Sequence, residues 1–178
     1  MSTKKAIQKE FMHEYSQREY SRITVKTLCA NTPVARTTFY SYYQNIDELK
    51  NDIEDNLING IIYLAQETSQ GNMAEMDFSL FFAKTMDYIK EYWNDIYTFL
   101  IIQPNIRFIQ KWKEAIKKHF SLRFPQKTKM SNYDLISESM ASAVIGAYSY
   151  WLKYPETVDI RKLNQIVVSS LESTMNII

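Results

Sequence analysis

Apolar residues recur at intervals of three and four from one end of this chain to the other, and that spacing constrains its fold more than any other feature. Ile7, Phe11 and Tyr15 mark one face of a first helix over residues 3 to 18. Ile46, Leu49, Ile53 and Leu57 open a longer stripe that runs to about Thr68. Phe78, Phe82, Met86, Ile89 and Trp93 form another. "NDIYTFLIIQP" reads as a shorter helix stopped near Pro104, and Ile109, Trp112 and Ile116 are the inner face of the next. Ile136, Met140, Val144, Tyr148 and Trp151 share one face of a helix that Pro155 ends, and a last helix covers residues 159 to 176. With the short helices described below, the expectation is an all-α protein of about nine helices. Three glycines and four prolines among 178 residues are too few for the turns of a β-rich fold, which agrees.

The same composition excludes several classes. Apolar residues make up 46 % of the chain and aromatics 14 %, enough to build a core and too many for disorder. No apolar run approaches the roughly 18 residues that span a bilayer. The start "MSTKKAIQKEF" lacks the apolar stretch of a secretory signal, so a cytoplasmic, membrane-free protein is expected. Cys29 stands alone and reads as a small core residue. His13 and His119 have no Cys, Asp or Glu at ligand spacing, so neither a metal nor any other cofactor is expected. An enzyme is not expected either, for want of paired carboxylates, a Ser/His/Asp set or a glycine-rich phosphate loop. The net charge is +1, so any nucleic-acid contact must come from a local patch.

One stretch stands out: "ITVKTLCANTPVARTTFYSYYQNIDELK", Ile23 to Lys50. Thr24 is placed to cap a short helix reaching about Ala30, with Val25 and Leu28 inside. "NTPV" is a turn, since proline cannot continue the helix and biases Thr32 towards extended backbone. A third helix over residues 34 to 42 turns Phe39 and Tyr43 inward. Asn45 with Glu48 has the form of a capping box opening the fourth. That leaves Arg36, Thr37, Thr38, Tyr40 and Tyr42 crowded around two anchors. Such a segment is either an ordinary helical corner or a surface for gripping something negatively charged.

From helix one to helix four, the order and spacing of these elements resemble the TetR family of one-component regulators. The helix-turn-helix with Thr38-Phe39-Tyr40 and the acidic entry to helix four carry the likeness; "SAVIGAYSYWLKYPETVDIRKL" is similar to that family's dimerising end. The chain departs from the family pattern at Glu19 and Pro33, where glycine is usual, and at Ala35, where a serine-like cap is usual and Thr32 is a substitute. The resemblance implies a head of residues 1–46 that binds DNA and a body of residues 47–178 that regulates and dimerises. In a helix-turn-helix the third helix lies in the major groove. Arg36 then bridges guanine acceptors, Thr37 and Thr38 reach a base or phosphate, and Thr24, Lys26 and Lys50 meet the backbone. Phosphate roles for Tyr40 and Tyr42 are what the resemblance implies.

Ser139, Ala143, Gly146 and Tyr150 form a second, small-residue face on the penultimate helix, and Leu163, Ile166, Val167, Ser170 and Leu171 line the last. Both helices are either internal or, as the resemblance favours, the pairing surface of a homodimer built as a four-helix bundle. Phe78, Phe82, Met86, Trp93, Tyr97, Phe108, Trp112, Tyr148 and Trp151 are the candidate lining of an effector pocket, or plain core. The expected function is a regulator, a repressor by default, that binds a pseudo-palindromic double-stranded DNA operator as a dimer and is released by a small, mostly apolar effector. A coactivator of the same fold, governed by a protein partner, is the alternative.

Overall fold

A computed structural model describes residues 2–69, 72 and 77–177; the side chains of residues 78, 171, 172 and 175–177 lie outside it, and with them the expectations for Phe78 and Leu171. Nine α-helices follow one another among the described residues: α1 (Thr3–Gln17), α2 (Val25–Asn31), α3 (Arg36–Tyr40), α4 (Ile46–Thr68), α5 (Phe78–Glu91), α6 (Trp93–Tyr97), α7 (Ile106–Arg123), α8 (Tyr133–Lys153) and α9 (Ile160–Ile177). The all-α expectation holds.

Side-chain caps set the helix starts by satisfying N–H groups that have no partner within the helix. Ser2 accepts from the Lys5 N–H, and Asn105 from those of Arg107 and Phe108. Thr24 caps α2 in a full capping box with Thr27, a partner the sequence reading did not name. Asn45 accepts from the Glu48 N–H, but the Glu48 carboxylate returns to Gln44, at 2.6 Å, one residue earlier than a regular box. Asn132 is the only non-glycine residue with a left-handed backbone among those described, at φ 68°, which asparagine tolerates.

Three expectations need correction. The stripe from Phe78 to Trp93 does not lie on one helix: the chain breaks at Tyr92 (φ −103°, ψ 27°), and Trp93 begins α6. "NDIYTFLIIQP" is α6 followed by a π-helical turn, Thr98–Ile102, closed by Gln103 donating to the Thr98 carbonyl at 2.9 Å. On α7 the buried line is Phe108, Trp112, Ala115, His119 and Phe120, with Ile109 and Ile116 only partly buried at its edge. His119 belongs to that buried face, which is therefore turned by about one residue from the line of Ile109, Trp112 and Ile116.

The body core is aromatic. Phe99 packs on Phe108 at 5.0 Å between ring centres, Trp112 stacks on Tyr148 at 5.6 Å, and Trp93 meets Trp151 edge-on at 5.2 Å. Gly60 lets α5 approach α4: a Cβ there would lie 2.2 Å from the Tyr88 hydroxyl, which donates to the Leu57 carbonyl.

Polar tethers join the first three helices to the rest. Gln103 donates to the carbonyls of Tyr15 and Arg18 at 2.5 and 2.7 Å, satisfying the C-terminal end of α1. Glu54, fully buried, accepts from Asn105, Arg107 and Lys111. Burial pushes its carboxyl up, but those hydrogen bonds, led by Arg107, outweigh it, and the net shift is down. Arg107 also lies 3.5 Å from Asp47, which accepts from Tyr20 at 3.0 Å. Ion pairing and hydrogen bonding thus run from the loop after α1, through α4, to α7.

Candidate nucleic-acid interface

Helix α3 is only five residues long, so its position depends on what its inward face holds. Phe39 is completely buried, and Tyr43, 3 % exposed, sits 5.8 Å from it, ring centre to ring centre. The Tyr43 hydroxyl donates to Asp52 at 2.7 Å, and Lys4 and Gln8 of α1 bind the same carboxylate. Burial raises the Asp52 carboxyl, but bonds from Lys4, Tyr43 and Gln8 overcome that and hold it below its usual range. Burial and that same anion push the Tyr43 phenol far up, so it stays a donor. Glu14, 2 % exposed, accepts from Asn31 at 2.9 Å and from Thr27 at 3.3 Å, fixing α2 on α1. None of these hubs was singled out in the sequence, because a buried carboxylate is legible only once its donors are in place.

The opposite side of α3 is open. Arg36 and Thr37 are exposed in its first turn, and Arg36 has no ion-pair partner among the described residues. Tyr40 is 57 % exposed and Tyr42 45 %, high for aromatic side chains flanking two buried rings. Lys26 is exposed on α2. Thr24 is exposed too, with its hydroxyl engaged as the α2 cap. Thr38 is half-buried. Five of the eight candidates, Lys26, Arg36, Thr37, Tyr40 and Tyr42, therefore offer free side chains on the α2–α3 surface.

Lys50 does not join them. Its ammonium lies 4.4 Å from the Tyr20 ring centre and 5.4 Å from that of Tyr15, and desolvation, first among the causes, lowers its pKa. It braces α4 against α1 and is withdrawn from the DNA-facing set. Thr32 does not cap α3 either: its hydroxyl donates to the Leu28 carbonyl at 3.0 Å and closes α2. The turn between α2 and α3 runs through extended backbone at Thr32 (φ −123°, ψ 154°) and Ala35 (φ −66°, ψ 152°), which explains how Pro33 replaces a glycine there.

The effector-pocket candidates are scattered. Phe82, Trp112 and Tyr148 line a cavity of about 30 Å³ in the body core with Thr85 and His119. That volume holds a water molecule or two, not an organic effector, in this conformation. Met86, Phe108 and Trp151 are buried core, and Trp93 and Tyr97 border a separate cleft on the other side.

His119 carries a pH dependence. Burial, and then Lys118, lower its pKa from 6.5 to about 4. The unfolded chain takes up a proton near 6.5 that the folded chain refuses until about 4, so stability is full at neutral pH and falls as pH drops through that window. The expected loss reaches about 3 kcal/mol. Urea unfolding at pH 7 and 4.5 measures it, and His119→Leu should remove that part of the slope.

On α8 the small-residue face points outward. Ser139, Ala143, Gly146 and Tyr150 are all exposed, Tyr150 by 58 %, and a Cβ on Gly146 would meet nothing within 4 Å. On α9, Ile166 (57 %) and Ser170 are exposed beside it, and Leu163 is half-buried. Val167, at 8 %, is turned into its own core and is removed from the interface set.

The geometry defines a class: an all-α chain in which one short helix, α3, turns an open polar face to solvent. No family model matches the sequence, and no curated protein does. Solved structures do. A TetR transcriptional regulator from Streptococcus agalactiae 2603V is 20 % identical and superposes at a TM-score of 0.71 over 94 % of this chain and 92 % of that one. A tetR-family regulator from Streptomyces coelicolor reaches 0.70 at 11 % identity, over 98 % and 83 %. The dihydroxyacetone kinase operon activator DhaS reaches 0.62 at 20 % identity, over 98 % and 97 %. The fold is that of TetR-family transcriptional regulators. No described helix is long and apolar enough to cross a membrane.

Proposed function

We propose that this chain is a TetR-family transcriptional regulator that binds a pseudo-palindromic DNA operator as a homodimer. The observation that carries the reading is the two-sidedness of α3. Phe39 and Tyr43 are held by the core and the Asp52 hub, while Arg36, Thr37 and Tyr40 stand free on the other face. Arginine and threonine side chains on a helix that fits the major groove can read base edges, and tyrosine hydroxyls can donate to phosphates.

One head makes few contacts, and pairing two of them on successive major grooves, roughly 34–36 Å apart or a multiple of that, supplies the missing affinity. The outward face of α8 with Ile166 and Ser170 of α9 is the proposed pairing surface. Gly146→Arg tests it: a Cβ there would meet nothing within 4 Å of its own chain, so the fold should tolerate the substitution, which circular dichroism checks. Overpacking across the interface should raise the dimer dissociation constant by about tenfold to a hundredfold, read by sedimentation. An unchanged constant contradicts this surface.

Selection of binding sites from random duplex DNA tests the function itself. Enrichment of a motif with two inverted half-sites is the expected outcome; recovery of no motif sinks the reading. Repression is the expected sign in a reporter assay, with release by a small apolar effector after the body core opens beyond its present cavity. The likeness to an operon activator supports the opposite sign, which increased reporter output would establish.

A further inference from the structure

A cleft of about 850 Å³ lies between α1, α4 and the α5–α6 corner, apart from the α2–α3 surface and from the small core cavity. Its body wall carries Tyr92, Trp93, Tyr97 and Asp95; its α1 wall carries Lys5, Lys9 and His13. The volume is within the range of small-molecule sites. Tyr92 is 37 % exposed, and Trp93 is half-exposed and stacked on Tyr97 at 6.2 Å.

Asp95 is the anomaly. It is half-buried and its carboxylate makes no hydrogen bond or ion pair with any described residue, although the buried Glu14 and Glu54 and the half-buried Asp52 are each served by two or more donors. Desolvation raises its carboxyl above the usual 3.8. A position early in α6 accounts for an acidic residue, but not for leaving it unpaired beside aromatic rings.

We propose that the cleft binds a small organic monocation, an aromatic or alkyl ammonium whose head meets the Asp95 carboxylate while its stem lies against Tyr92, Trp93 and Tyr97. Aromatic faces attract an ammonium through the ring quadrupole, and a carboxylate adds direct charge pairing. Lys5 and Lys9 on the facing wall repel each added positive charge, so a single cation seated at the Asp95 end is favoured over polyamines. Because one wall is α1 and the other is the α5–α6 corner, an occupant touches head and body together.

The test uses the full chain without DNA, so its outcome is separable from the operator reading. Trp93 lines the cleft and Trp151 meets its ring edge-on at 5.2 Å, while Trp112 is buried away from the cleft, so ligand-dependent tryptophan fluorescence reports on the Trp93–Trp151 pair. Tyramine and phenethyltrimethylammonium should perturb it saturably, with a Kd on the order of 0.1–1 mM. Spermidine should bind more weakly, and 4-hydroxyphenylacetate not at all. Asp95→Asn should weaken tyramine at least about tenfold, with its fold checked by circular dichroism; should it fail to fold, Tyr92→Ala serves, with weaker binding expected. The proposal is overturned if the acid binds as well as the amines, if spermidine outbinds them, if a folded Asp95 or Tyr92 variant binds unchanged, or if neither amine saturates below about 10 mM.

Discussion

Glu54→Ala should destabilise the folded chain by about 3–5 kcal/mol, a third or more of the stability of an ordinary domain. The carboxylate is completely buried and accepts from Arg107 at 2.8 Å, Asn105 at 2.6 Å and Lys111 at 3.0 Å. Removing it takes away the one fully buried anion of the cluster and leaves Arg107 with Asp47 at 3.5 Å and Lys111 with Asp55 at 2.7 Å, both partners nearer the surface. The loss comes from three donors left without their buried acceptor and two cations left with only their outer partners. Glu54→Gln, which preserves shape and some acceptor capacity, should lose less. Urea denaturation of both variants reads the difference; an Ala variant within about 1 kcal/mol of the parent would mean the cluster is a solvated surface network.

The second large effect concerns DNA. Arg36→Ala should cost about 1–3 kcal/mol per head, hence roughly 2–6 kcal/mol for a dimer, raising the operator Kd by about thirtyfold to ten-thousandfold. Stability should barely change, since Arg36 is exposed and unpaired among the described residues. Tyr40→Phe removes one hydroxyl donor per head and should lose about tenfold in all. Fluorescence anisotropy on a selected operator, with melting curves alongside, separates the two. If Arg36→Ala binds like the parent, α3 is not the reading helix, and a protein-partnered coactivator becomes the better account.

The architecture was legible because it rests on patterns internal to single helices. Ile7, Phe11 and Tyr15 are all buried on α1, and Met140, Val144, Tyr148 and Trp151 on α8, as spacing alone demands. Caps at Thr24 and Asn45 were readable for the same reason, being contacts between residues three apart. The polar face of α3 was readable by subtraction, once Phe39 and Tyr43 were assigned inward. What spacing could not show were side chains whose environment comes from distant segments. Lys50 looks like a solvent-facing lysine until Tyr15 and Tyr20 fold over it. His119 looks polar until Phe81 packs edge-on at 5.8 Å. Val167 and Ile166 are neighbours of equal hydrophobicity, and only the packed body decides that one faces in and the other out. The π-helical turn at Thr98–Ile102 was illegible too, since its register is tied to Gln103 reaching carbonyls more than eighty residues earlier.

The central claim is that two copies of the α2–α3 surface grip phosphate and base edges together, and the salt dependence of binding tests it most directly. Lys26 and Arg36 are the open cations offered by each α2–α3 surface, so a dimer that neutralises about four phosphates should show log affinity for the selected operator falling against log salt with a slope of about −4. A slope near that value, shallower in a Lys26→Ala variant by about 2 for the two heads, is the predicted result. Affinity that does not change with salt would contradict the account.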